Sequence, residues 1–296
     1  MNYTVIKSID DEDLYLKIYN IESPKACVQI VHGMQEHQTR YESLALFLNE
    51  QGYTVVTSDL RGHGENAKEH GFFKEKDGYK VLISDQVCIT NYIKNTLGIE
   101  KVIIYGHSMG SIITRDVIQA NSNLYTKVIL SGFPNYNPLA PVAITISNVV
   151  KKVKGNHSYS RLLHKITLGP FEKAIKNKKT DLDWLSLNEE NVINYQNDPL
   201  CGHEFTNGAY NDLHHLLHLV GKKNKNKVNN LPILLLNGSD DPCVGGVKGT
   251  QKSKRILNKQ GFTNLKHIEY PNYRHEIFNE KDTTKIYKDF LDFIEA

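Results

Sequence analysis

The sequence predicts an α/β fold with a mostly parallel central sheet flanked by helices and a helical cap inserted late in the chain. Three observations predict it. Apolar segments of strand length alternate with amphipathic segments of helical period. One long interval, 132–230, contains no convincing sheet strand. Gly106-His107-Ser108-Met109-Gly110 falls where an apolar strand meets a helix-like pattern.

Two alternating segments come first, at 3–9 and 14–19. Strands buried on both faces read as unbroken apolar runs, and that signal places strands at 27–31, 54–57, 102–105, 127–130, 233–236 and 266–270. Apolar residues at helical spacing place helices at 41–49, 83–96, 111–118 and 285–294. A crossover between parallel strands needs only about a dozen residues. Residues 1–131 and 231–296 are therefore expected to form the body, and 132–230 a cap with helical patterns at 142–152, 159–167 and 211–220. An insertion after a strand end lies over the carboxyl edge of the sheet, where open α/β folds bind ligands. The apolar stretch 141–150 is too short to span a bilayer. It is suited either to pack the cap on the body or to line a pocket, where an acyl chain gains about 0.8 kcal/mol per buried CH₂.

Composition excludes several classes. With 40% hydrophobic and 23% charged residues over 296 positions, the chain supports a large core and is not disordered over most of its length. No apolar run is long enough for a membrane span, and Met1-Asn2-Tyr3-Thr4-Val5 has neither a basic nor an apolar leader pattern, so a cytoplasmic location is expected. Cys27, Cys88, Cys201 and Cys243 lack metal-type spacing and read as reduced thiols. A net charge of +3 is too small to argue for nucleic acid. Two lysine groups, at 173, 176, 178 and 179 and at 222, 223, 225 and 227, read as solvated loops, with transient contact to an anionic membrane surface through the cap as the alternative. No dinucleotide or phosphate cradle is present, so no cofactor is expected. His214, His215 and His218 include an i, i+4 pair but no HExxH arrangement, which favours a cap helix over a metal site.

The chemistry begins at Ser108. A serine hydroxyl is a weak nucleophile until a neighbouring base takes its proton, and the base needs a third group to fix its tautomer. Asn237-Gly238-Ser239-Asp240-Asp241-Pro242 follows one late strand, and Pro271-Asn272-Tyr273-Arg274-His275-Glu276 follows the next. Asp241, directly before Pro242 at the end of the turn, is favoured as the acid over Asp240, which is able to cap the turn itself. His275 is favoured as the base over His267, which lies within a strand. An oxyanion needs two preorganised N–H donors, one from Met109 after the serine and one from the loop after the early strand, where Met34 follows Gly33. His32, His63, His107 and Arg61 read as residues that order loops.

These residues resemble a known family. His32-Gly33, Glu36-His37, Arg40-Tyr41-Glu42, Asp59-Leu60-Arg61-Gly62-His63-Gly64 and the serine pentapeptide look like successive blocks of the monoglyceride lipase and lysophospholipase (serine aminopeptidase-like) branch of α/β-hydrolases. The resemblance runs from about 27 to 130 and from 232 to 276, while the insertion matches nothing in it. It implies the α/β-hydrolase fold, Ser108 as nucleophile, Asp241 as acid, His275 as base, and Met34 with Met109 as backbone oxyanion donors, in the chain order Ser, Asp, His. It also implies a serine ester hydrolase acting on a small-molecule lipid ester, monoacylglycerol or lysophospholipid, through an acyl-enzyme. A general carboxylesterase or thioesterase, a serine aminopeptidase using Glu172, Glu189, Glu190 or Glu204, and a non-catalytic binding module are the alternatives. The chain departs from the family pattern at Met34, Gln35 and Ser111, where members often carry small residues or glycine.

Overall fold

The computed structural model describes residues 1–222 and 228–296; Lys223, Lys225 and Lys227 of the second lysine group lie outside them. In chain order the elements are β1 (Asn2–Lys7), β2 (Asp13–Tyr19), β3 (Cys27–Val31), α1 (Glu42–Glu50), β4 (Thr54–Ser58), α2 (Gly78–Asn95), β5 (Val102–His107), α3 (Met109–Asn121), β6 (Lys127–Ser131), α4 (Ala140–Lys154), α5 (Arg161–Thr167), α6 (Gly169–Ala174), α7 (Glu189–Asn197), α8 (Asn207–Leu219), β7 (Ile233–Gly238), α9 (Gly246–Gln260), β8 (Leu265–Tyr270) and α10 (Thr284–Glu295). The strands join in one eight-stranded sheet, ordered β1-β2-β4-β3-β5-β6-β7-β8. β1 and β2 pair antiparallel at one edge, and every pairing from β4 to β8 is parallel.

Successive strand residues point to opposite faces of a sheet, so the central strands feed two cores. Ile104, Leu130 and Leu235 enter one, packed with α2, α3 and α8; Ile103, Ile129 and Leu234 enter the other, packed with α1 and α10. Burial on both faces is why these strands carry no polar alternation. The expected strands are all present. Helix α2 starts at Gly78 rather than near 83, and α6, α7 and α9 carry no clear sequence signal. In α9 the buried stripe is Thr250, Ser253, Leu257 and Gln260, with one large apolar residue in it.

Between β6 and β7 the described residues form helices and no strand, apart from an isolated bridge between Tyr159 and Thr206. Helix α8 belongs to the core through Ala209, Tyr210, Leu213 and Leu216, and α4 lies across it. The stretch 141–150 contributes only Ala143 to the large cavity described below. Ile146 and Val150 pack on the core, while Val142 and Val149 are 54% and 58% exposed.

Candidate active site

Ser108 sits between the end of β5 and the start of α3 with φ 50° and ψ −119°. A left-handed φ strains any residue with a Cβ, by about 1–3 kcal/mol, and persists only where the surroundings enforce it. Here they do. The Ser108 N–H donates to the Ser131 carbonyl at 3.0 Å, and the Ser108 carbonyl accepts from the Ser111 N–H and, at 2.6 Å, the Ser111 hydroxyl. Ser111, standing where the family often has glycine, thus reinforces the turn. The flanking glycines are needed for close approach and not for their backbone angles. A Cβ on Gly106 would lie 2.5 Å from both the Gly110 carbonyl oxygen and Thr114 Oγ1, and one on Gly110 would collide with the carbonyls of Val31 and His32.

Neighbouring strands β7 and β8 supply the loops that carry Asp241 and His275. The loops are stitched together by the Ser239 N–H to the Tyr270 carbonyl (2.9 Å) and the Asp240 N–H to the Tyr273 carbonyl (3.0 Å). His275 Nδ1 and Asp241 Oδ2 lie 3.0 Å apart, and both side chains are buried. Asp241 Oδ1 accepts the Cys243 N–H at 2.8 Å. With Nδ1 donating to Asp241, Nε2 is left as the acceptor; it is buried and has no hydrogen-bond partner among the described residues. Burial pushes the imidazole pKa down, but the Asp241 carboxylate outweighs it and the net movement is upward. Gly132, at φ +53°, makes room for the ring: a Cβ there would sit 2.8 Å from His275 Cε1. Asp240 instead takes the Ser239 hydroxyl on an exposed turn, and His267 Nε2 pairs with Asn237 at 2.7 Å.

The loop after β3 is held from several sides. His32 Nε2 accepts the Leu60 N–H at 2.9 Å, and the Glu36 carboxylate accepts the Gly33 N–H at 2.5 Å. Gln35 adopts φ 60°, gives its N–H to His63 Nε2 at 3.2 Å, and accepts the Gly202 N–H and the Tyr195 hydroxyl on its carbonyl. Burial lowers His32 and His63 to about 3, so both are neutral bonding partners. His107 is likewise neutral and pairs with Ser131 Oγ at 2.9 Å. The N–H groups of Met34 and Met109 find no acceptor among the described residues, and Met109, as the first residue of α3, has none within its own helix. Both residues line the cavity that also contains Ser108 and His275.

The family described as serine aminopeptidase, S33, matches residues 22–282. The chain belongs to this α/β-hydrolase family. It falls among the lipases and esterases of the family. It is similar to the monoglyceride lipase homolog of monkeypox virus, at 27% identity over 96% of this chain and 94% of that one. It is also similar to phospholipase YtpA of Bacillus subtilis, at 24% identity over 91% and 95%. Its fold matches the crystal structure of a highly thermostable carboxyl esterase from Bacillus coagulans in complex with glycerol, with a TM-score of 0.90 at 24% identity, covering 99% of this chain and 97% of the other.

Around this α/β-hydrolase site lies a buried knot without a role in the sequence reading. Arg40 donates to both oxygens of Glu276 at 2.7 Å, to Glu36 at 3.0 Å and to Asn191 at 3.0 Å. It thereby joins the loop after β3, the loop of His275 and helix α7. Burial pushes the Glu276 carboxyl up, but Arg40 beside it holds it down at about 2. Arg40 and Glu36 stand within the quoted family blocks and Glu276 directly follows His275, yet only the fold reveals that they meet.

The cavity has a volume of about 790 Å³. Ile112, Leu168, Phe171, Leu182, Leu213 and Leu217 give it an apolar wall, in the size range of small-molecule sites. Two sets of metal-ligand side chains converge, His37 with Asp198 and Cys201, and Asp241 with Cys243 and His275. In each the imidazole is already hydrogen-bonded to the carboxylate. His214 is bonded to Thr167 and Ser147, and His215 stacks on Tyr79. No helix among the described residues is long and apolar enough to cross a membrane.

Proposed function

We propose that this chain is a serine carboxylic ester hydrolase that releases fatty acid from a single-chain lipid ester, monoacylglycerol or lysophospholipid, through an acyl-enzyme. The observation that carries the reading is the strained Ser108 opening into the same apolar cavity as a buried His275 whose Nδ1 is held by Asp241. In the proposed reaction His275 Nε2 takes the Ser108 proton as Oγ attacks the ester carbon, and the Met34 and Met109 N–H groups hold the oxyanion. The imidazolium then protonates the departing alcohol. Water, deprotonated by His275, attacks the acyl carbon and frees the acid. The apolar wall suits an acyl chain, and the lipase names of the relatives agree with it.

In this reading 132–230 is the cap, seated on the body through α8. Its outer side carries Leu139, Val142, Val149, Val153 and Leu162 in exposed positions, beside the exposed Lys152 and Lys154. That combination supports transient contact with an anionic lipid surface. The aminopeptidase alternative draws on Glu172 and Glu204, both lining the cavity, of which Glu172 is bonded to His164 at 2.8 Å.

The test is hydrolysis of a monoacylglycerol series, a lysophosphatidylcholine, short p-nitrophenyl esters and an aminoacyl amide by the wild type and Ser108→Ala. Long-chain ester turnover that falls by about 10⁶ in kcat in the variant is the expected result. Turnover confined to short esters makes the protein a general esterase, and turnover confined to the amide makes it a peptidase.

A further inference from the structure

The single tryptophan of the chain lies on the proposed catalytic base. The Trp184 and His275 rings have centroids 4.8 Å apart, and Phe171 backs the indole at 5.4 Å. Trp184 is only 9% exposed and belongs to a small apolar cluster that also takes in Leu185, Tyr195 and Cys243.

The backbone around Trp184 is fixed to the residues on both sides of His275. The Glu276 N–H donates to the Leu185 carbonyl at 2.7 Å, and the Arg274 guanidinium donates to the carbonyls of Asp183 (2.5 Å) and Ser186 (3.2 Å). One turn further on, the Glu280 carboxylate accepts the N–H groups of Leu187, Asn188 and Arg274. Asn191 donates to Glu276 at 2.7 Å. Residues 183–191 thus form a strap across the base loop, with Trp184 pressed on the imidazole.

We infer that Trp184 is a positioning residue for His275: the indole seals one face of the imidazole from water and holds the ring with Nδ1 on Asp241 and Nε2 toward the cavity. The inference rests on the ester-hydrolase reading. An imidazole free to tilt would no longer hold Nε2 toward the cavity that Ser108 also lines, and small misplacements of a reacting group cost rate rather than affinity. The charged and titratable groups acting on the ring are Asp241 and Cys243 from the loop after β7, Glu276 from its own loop, Glu36 from the loop after β3, and His107 from β5, its ring centroid 4.8 Å away. Of these, Asp241 sustains the charged form and burial opposes it. Trp184 belongs to the burial. Opening that face admits water and moves the base upward.

Two measurements test this. Protonated imidazole quenches indole emission at contact, so the fluorescence of the wild type is expected to fall in one step as His275 is protonated, and the step is expected to vanish in His275→Gln. Trp184→Ala is expected to lose about ten- to a hundredfold in kcat with KM nearly unchanged, to shift the acid limb of kcat/KM to higher pH, and to recover most of the rate in Trp184→Phe. Emission without a His275-dependent step overturns the contact and needs no variant of Trp184 to fold. A Trp184→Ala enzyme with wild-type kcat and acid limb, whose Ser108 still reacts with a fluorophosphonate, overturns the positioning role alone. Failure of the wild type to react with that probe overturns the hydrolase reading and positioning with it.

Discussion

Two parts of the long insertion, 183–202 and helices α4 and α5, are tied to different places. Residues 183–202 are sewn to the chemistry: Arg40, Arg274, Glu276 and Glu280 bond them to the base loop, and Tyr195 and Gly202 hold the Gln35 carbonyl. Helices α4 and α5 instead rest on α8, expose valine and leucine, and keep lysines beside them. Residues 183–202 are tied by polar contacts to the loops of Gln35 and His275, whereas α4 and α5 are tied by Ser147 and Thr167 to Asn211 and His214 of α8 and keep apolar surface uncovered. Under the proposed function, the part of the insertion that meets a lipid surface is α4 and α5, whose bonds run to α8 and not to the loop of His275.

Breaking the first part carries the largest expected effect. Arg40→Ala leaves Glu276 and Glu36 buried without their cation, and is expected to cost about 3–5 kcal/mol, read by denaturant unfolding, with most of the activity. Glu276 also sets a pH signature. Its folded pKa lies near 2 against an ordinary 4.5, so its stabilisation is complete above about 4.5 and fades as pH falls toward 2. The variant should show less acid sensitivity in that window than the wild type; an unchanged acid transition counts against the knot.

Charging the second part has a smaller and different effect. Val149→Asp with Val153→Asp, both exposed, is expected to change stability by no more than about 0.5 kcal/mol per site. Turnover of a micellar or vesicle-bound ester should fall several-fold while that of a short soluble ester holds. Equal loss on both substrates would remove the distinction between the two parts.

The smallest effect lies at the joint between α4 and α5. There His157 stands between Glu69 and Glu75, with both ring nitrogens bonded, and its pKa is raised by hydrogen bonds to those carboxylates. A raised histidine stabilises below its ordinary 6.5 and loses that contribution as pH rises through the folded value. Hydrogen exchange around 155–160, corrected for intrinsic rate, is expected to quicken slightly over that rise, and less in His157→Gln.

Legibility in the sequence follows the range of the interactions. Ser108 and its glycines were readable because the elbow is local, and the strands because burial on both faces writes an apolar run. Asp241 was separable from Asp240 by one proline, and His275 from His267 by its place after a strand. Trp184, Asn191 and the Arg40 knot left no such mark, since a tryptophan in a long insertion or an arginine near a glycine turn has no period or spacing to betray its partner. The stretch 141–150 left two readings open for a related reason: an apolar helix looks the same whether it packs on the body or lines a pocket.

The Arg40 to Glu276 contact spans 236 positions of the chain, which bears on when activity arises during folding. A chain ordered only through β6 already has the strained Ser108, yet neither His275, Asp241 nor the Glu276 carboxylate that clamps the loop after β3 through Arg40. Contacts between such distant segments form late, after the cost of closing the chain has been met. On the proposed function, hydrolytic competence therefore arrives as one of the final events of folding, and incomplete molecules carry Ser108 in its turn but remain inert.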